Sequence, residues 1–183
     1  MANRFWFSPA MPKAPPAKAP AAGLIAVVGT VAAGLLYTSI PEDEGMVYVG
    51  YLDIANIPTK CAGDTRDVVV GKRYTVEECR ASLDRALVAH AKPVMACVPA
   101  LQADGLDHAR AAAVSIAYNI GTTAFCRSTI ARKFNAGDIA GACDGFLSWD
   151  KARVKGVLRP VKGLTLRRQR ERALCLVDVK PRA

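Results

Sequence analysis

Glu44-Gly45-Met46-Val47-Tyr48-Val49-Gly50-Tyr51-Leu52-Asp53-Ile54-Ala55-Asn56-Ile57-Pro58-Thr59 is the stretch around which the rest of the chain is read. Two carboxylates, Glu44 and Asp53, flank Tyr48 and Tyr51, and Thr59 follows six residues after Asp53. Cleaving a glycosidic bond requires one carboxyl group to protonate the leaving oxygen and another on the opposite face of the sugar. Carboxylate pairs at this spacing are common by chance, so spacing alone decides nothing. Gly45 suits the residue that ends a helix, which makes Glu44 the last residue of a helix arriving from the N-terminal side. From Met46 to Val70 the pattern alternates poorly and is punctuated by Gly50, Asn56, Pro58 and Gly63, which predicts a small irregular β-hairpin sheet.

Upstream, residues 21–40 contain no charged side chain. That is about the 20 residues a helix needs to cross a bilayer core. Arg4, Lys13 and Lys18 precede the run, and Glu42, Asp43 and Glu44 follow it. The positive-inside rule then orients it with the N-terminus cytoplasmic and residues 41–183 exported. Residues 1–20, rich in Pro and Ala toward their end, are expected to be a disordered lead-in. Eight of the twenty span residues are Gly or Ala, and Thr30, Thr38 and Ser39 add hydroxyls. Its hold on lipid is therefore weak. A cleaved signal peptide with Val31-Ala32-Ala33 at the cleavage site, a permanent anchor and a segment that later lets go all fit this composition. Only Pro41, Glu42 and Asp43 separate the span from Glu44. At about 3.3–3.6 Å per residue, an inserted span keeps Glu44 within roughly 15 Å of the bilayer.

The 183-residue chain carries 25 Lys and Arg against 16 Asp and Glu, a formal charge of +9. That balance suits a polyanion: nucleic acid, anionic lipid or acidic cell wall. Nucleic acid is disfavoured, because the basic residues lack interleaved aromatics and the span implies export. Six cysteines (Cys61, Cys79, Cys97, Cys126, Cys143 and Cys175) offer no zinc-ligand spacing, so neither metal nor cofactor is expected and disulfides in an oxidising compartment are.

Beyond the hairpin, Thr75-Val76-Glu77-Glu78 is a capping-box signature opening a helix to about Ala91, where Pro93 should stop it. Leu83, Ala86 and Leu87 would form its buried face. Ala109, Ala113, Ile116 and Ile120 recur at helical spacing from Leu106, with Gly121 as the stop. Shorter helices are expected over Thr129–Asn135 and Asp138–Trp149, then a basic loop over 150–163 and a last helix from Thr165 to about Val177. Trp149 reads as a core residue, and the arginines at 167–172 read as a solvated face with ion pairs.

The composite E-G-x5-Y-x-D-x5-T-x-C-x-G-x-T, from Glu44 to Thr65, resembles the catalytic loop of the phage lysozymes of glycoside hydrolase family 24. Ala117-Tyr118-Asn119-Ile120-Gly121, Ala124-Phe125, Asn135-Ala136-Gly137-Asp138, Trp149 and Gly163-Leu164-x-x-Arg167-Arg168-x-x-Glu171 extend the resemblance over about residues 44–177. With residues 21–40 included, the chain resembles the signal-arrest-release type. The fold implied is α+β and lysozyme-like, a small β-hairpin lobe plus a mainly helical lobe, preceded by a signal-arrest-release transmembrane helix.

The resemblance implies Glu44 as general acid, Asp53 as the carboxylate that positions or activates water, and Thr59 as a hydroxyl holding that water. It implies inversion at the anomeric carbon, peptidoglycan glycan strands as substrate, and a monomer; Tyr118 and Asn119 are candidates for the sugar groove, although an aromatic on a helix is more often a core residue. It places the protein in the inner membrane through residues 21–40 and then in the periplasm. A retained fold that binds wall without cutting it, and a lytic transglycosylase, are the alternatives. Asp64 departs from the pattern, standing where many relatives have His. The pairing Cys61–Cys79, Cys97–Cys126 and Cys143–Cys175 is expected from family-like placement. Some relatives are activated by exchange with a thiol in the membrane segment. Residues 21–40 contain no Cys, so activation here is expected by refolding around the extracted segment.

Overall fold

The computed structural model describes residues 20–53, 56–154 and 156–179. All but Pro20 of the expected lead-in lies outside these residues. Residues 22–44 form two helices, α1 (Ala22–Val28) and α2 (Thr30–Glu44), bent by 115° at Gly29. Gly29 has a φ of 82°, a conformation side chains disfavour and glycine adopts freely. Among the described residues no single helix is long and apolar enough to cross a membrane; α1 and α2 meet that test only as a bent pair. The single span expected over residues 21–40 is thus two helices in this folded form. Leu24, Ala32, Ala33, Leu36 and Ile40 are all 0% exposed, so an apolar face of each helix is buried in the protein core.

The helical lobe is built around α4 (Asp107–Ile120). Residues 111–117 of α4 are all buried, not just the expected stripe, because α2, α3 (Val76–Cys97) and α8 (Lys162–Leu176) pack around it. A helix enclosed on all sides has no polar face. Its alanines at 111, 112, 113 and 117 let those neighbours approach closely. α5 (Thr122–Cys126), α6 (Thr129–Asn135) and α7 (Ile139–Gly145) complete the lobe.

The expected caps form: Thr75 and Glu78 make the capping box of α3, and the Asp138 side chain accepts from the Gly141 N–H at the start of α7. Pro93 does not end α3, which runs on to Cys97. The loss of one backbone hydrogen bond at an exposed proline is offset by burial of Ala91, Val94 and Met95 and by the bridge from Cys97 to Cys126. Residues 151–160 also depart from expectation. Lys151–Val154 (β3) and Val157–Pro160 (β4) pair as an antiparallel hairpin in place of a loop. Thr165 does not cap α8: the helix starts at Lys162, and the Thr165 hydroxyl bonds Asp150 and the Val161 carbonyl from within it.

The β lobe is one hairpin, β1 (Val47–Leu52) against β2 (Pro58–Cys61), with an irregularity between Val47 and Tyr51. Gly50 is required there: a Cβ would lie 2.2 Å from the Val69 carbonyl oxygen. The segment around Val69–Tyr74 can therefore lie against the open edge of β1, with the Gly50 N–H bonded to the Lys72 carbonyl at 2.9 Å. Three disulfides, Cys61–Cys79, Cys97–Cys126 and Cys143–Cys175, are the pairs the resemblance implied. The first ties β2 to α3.

Candidate active site

Glu44 is the final residue of α2. Gly45, at φ 75°, closes the helix by donating its N–H to the Pro41 carbonyl at 3.0 Å, and the chain turns into β1 two residues later. The Glu44 carboxyl is bound by Arg167 of α8, Nη1 to Oε1 at 2.5 Å. Arg167 also meets Asp43 at 3.2 Å and Glu171 at 3.2 Å. Burial works against its charge, but the Glu44, Glu171 and Asp43 carboxylates outweigh burial and hold the guanidinium above its usual range.

Asp53 ends β1 in a tight turn. Its backbone N–H bonds the Ile57 carbonyl at 3.0 Å, and its Oδ1 accepts from the Ile57 N–H at 2.8 Å. Thr59 is buried in β2 and donates its hydroxyl to the same Ile57 carbonyl at 2.9 Å. One residue's backbone thus fixes both side chains. Tyr51 pairs directly with Thr59 across the hairpin. Because a strand's side chains alternate, Asp53 shares their face.

Burial raises the Tyr51 phenol above its ordinary pKa, and the Asp53 and Glu44 carboxylates raise it further. The Tyr118 phenol is pushed up to about 12 by burial, then by Glu44 and Asp64. Its hydroxyl donates to the Ala62 carbonyl at 2.9 Å and its ring packs on His90 at 4.7 Å, so it bridges the two lobes. Asn119 is exposed, and its side-chain oxygen accepts from Arg168 at 3.1 Å. Trp149 is half-buried against the core.

Two features escaped sequence reasoning. Arg167 and Arg168 are buried, not solvated; Arg168 is 0% exposed and ion-pairs with Glu171 at 2.9 Å. The signal was the spacing of Glu171 at i+4 and i+3 from the two arginines, a geometry that brings opposite charges together on a helix. Only Arg170 and Arg172 extend to the surface, pairing with Asp43 and Asp144. The second is Asp64, which joins the lobes. Its buried carboxylate accepts from Ser82 of α3 and from the Arg66 backbone at 3.0 Å. Burial pushes its pKa up, but the Ser82 and Arg66 contacts prevail and hold it below the ordinary carboxylate value. Among the described residues no cluster of His, Cys, Asp or Glu is arranged to hold a metal ion.

A small hairpin lobe set against a helical lobe defines the lysozyme-like class. The chain belongs to the phage lysozyme family, whose model matches residues 41–171. It is 40% identical over 134 residues to the SAR-endolysin of Enterobacteria phage P21, covering 73% of this chain and 77% of that one. The SAR-endolysin of Escherichia phage Mu is 38% identical over 132 residues, 72% of each chain. Among solved structures, the endolysin from Escherichia coli O157:H7 phage FAHEc1 superposes with a TM-score of 0.69 at 32% identity, covering 81% of this chain and 94% of that one. The active form of the P1 phage endolysin Lyz shares the fold, with a TM-score of 0.71 at 22% identity, covering 91% of this chain and 100% of that one.

Proposed function

We propose that this lysozyme-family enzyme is a phage endolysin that hydrolyses the β-1,4 bond between N-acetylmuramic acid and N-acetylglucosamine in peptidoglycan. Glu44 protonates the leaving oxygen, while Asp53 and Thr59 hold and activate water on the opposite face of the sugar. The observation that carries this reading is the match of residues 41–171 to the phage lysozyme family, with Glu44 standing at the end of α2 on Arg167 and Asp53 and Thr59 both bonded to Ile57 in the hairpin. Tyr118 and Asn119 line the sugar groove.

Residues 21–40 first hold the protein in the inner membrane with its N-terminus cytoplasmic; the released chain then acts in the periplasm as a monomer, with residues 41–183 as its catalytic part. The uncharged run before Glu44 and the names of the P21 and Mu relatives support this route. All six cysteines pair outside residues 21–40, which favours activation by refolding over thiol exchange. The test is lysis of permeabilised Gram-negative cells by the full chain, followed by product analysis. Reducing-end sugars are expected, whereas anhydro-sugars would indicate a transglycosylase. Glu44→Gln should lower the rate by about 10²–10⁴-fold with an unchanged circular dichroism spectrum. Undiminished lysis by that variant would remove Glu44 from the reaction.

A further inference from the structure

At the bend between α1 and α2, a side chain of the helical lobe bonds the free carbonyl of Val28. Arg110, on the first turn of α4, donates from Nη1 to the Val28 carbonyl at 2.8 Å. It also donates from Nε to the Leu101 carbonyl at 2.7 Å, from Nη2 to the Ala103 carbonyl at 3.1 Å, and from Nη1 to Asp107 Oδ1 at 3.0 Å. In an unbroken helix through Gly29, the Val28 carbonyl would be bonded by the N–H four residues on. Breaking the helix there orphans that carbonyl, and Arg110 supplies its donor. Gly29 fits against the same pair of side chains: a Cβ on it would lie 3.3 Å from Arg110 Nη1 and 3.5 Å from Asp107 Oδ1.

We infer that Arg110 is a positioning residue for Glu44, selecting the bent form of residues 22–44 by capturing the Val28 carbonyl. Its other acceptors, Leu101, Ala103 and Asp107, belong to α4 and the segment before it and do not depend on where residues 22–44 lie. The guanidinium is therefore oriented in advance, and its planar fork loses little freedom when the Val28 carbonyl arrives. Only the bent form offers that acceptor, so the contact favours it differentially, as a population shift requires. α2 runs without a break from the bend to Glu44, so its direction at Gly29 sets where the carboxyl stands beside Arg167. This deepens the assignment of Glu44 as the acid and rests on it.

The experiment uses the full soluble chain and a soluble glycan fragment, so that kcat and KM separate. A charged hydrogen bond of this kind shifts an equilibrium roughly tenfold or more. Arg110→Met should lower kcat by up to about that factor with KM unchanged, because both forms bind the glycan alike while fewer of them hold Glu44 in place. Arg110→Lys should recover part of the loss, since an ammonium can still donate to the Val28 carbonyl. If Arg110→Met folds poorly, Gly29→Ala disfavours the positive φ, presses its Cβ on Arg110 Nη1 and favours an unbroken helix; it should also lower kcat several-fold at constant KM. Full kcat in Arg110→Met with only a lower Tm would overturn the inference, as would full kcat in Gly29→Ala. The Glu44→Gln control separates the two readings: if it stays active, the acid assignment fails whatever the Arg110 variants do.

Discussion

The helix that ends at Glu44 and the hairpin that carries Asp53 and Thr59 hold the residues of the proposed site by opposite means. Asp53 and Thr59 are fixed locally: both bond the backbone of Ile57, and the Cys61–Cys79 bridge pins the strand to α3. These two bonds span only four and two residues of chain. Glu44 has no such local lock. It depends on Leu36, Ile40 and the rest of an apolar helix finding the core, on the bend at Gly29 and on Arg167, 123 residues away in sequence. One half of the site is therefore built in and the other is docked. An apolar segment serves as core here, and the proposed acid stands at its end.

Substitutions on the two sides should separate these dependences. The largest stability effect is expected from Arg167→Met, which leaves the buried Glu171 and Asp43 short of a counter-charge. Breaking a buried ion network costs about 3–5 kcal/mol, readable as a fall in Tm, with lysis falling in parallel because Glu44 loses its partner. Leu36→Ala empties a fully buried site on α2 and should cost roughly 2–5 kcal/mol. Hydrogen exchange should show the loss concentrated in residues 22–44, with the hairpin amides still protected. Equal loosening of both regions would erase the distinction between docked and built-in halves. Replacing Cys61 and Cys79 by Ser should cost about 2–4 kcal/mol and give the reverse pattern, with β1 and β2 exchanging faster and α2 unchanged.

The smallest effect is a pH dependence at Asp64. Its folded pKa lies below the unfolded value near 4, so it adds stability above about pH 4 that is lost as pH falls through the depressed value. Asp64→Asn should be less stable at neutral pH yet lose less of its Tm on acidification. An acid limb as steep as that of the parent would assign the effect elsewhere.

The two halves also differed in how far the sequence revealed them. Glu44 before Gly45, the turn signals around Asp53, the capping box at Thr75 and the Asp138 cap are local rules, and each reads directly from its neighbours. The bend at Gly29 was not legible, because an apolar run tolerates a glycine within a helix and the contacts made at the bend, such as Arg110 on the Val28 carbonyl 82 residues away, are distant in sequence. Pro93 continued its helix for the same reason: buried neighbours outvoted a local breaker. Arg167 and Arg168 looked like a solvated face because their partners Asp43, Glu44 and Asn119 come from other elements. The hairpin over 151–160 was hidden by basic residues that mask its alternation.

The central claim is that a docked Glu44 and a built-in Asp53 act on one sugar bond from opposite sides. A crystal structure of the full-length Glu44→Gln variant with a muropeptide oligosaccharide tests it most directly. The account predicts the bridging β-1,4 oxygen at about 3 Å from the substituted side chain at position 44, with a water held by Asp53 and Thr59 across the ring. A glycan seated away from both positions, or with both side chains on the same face of the sugar, would contradict it.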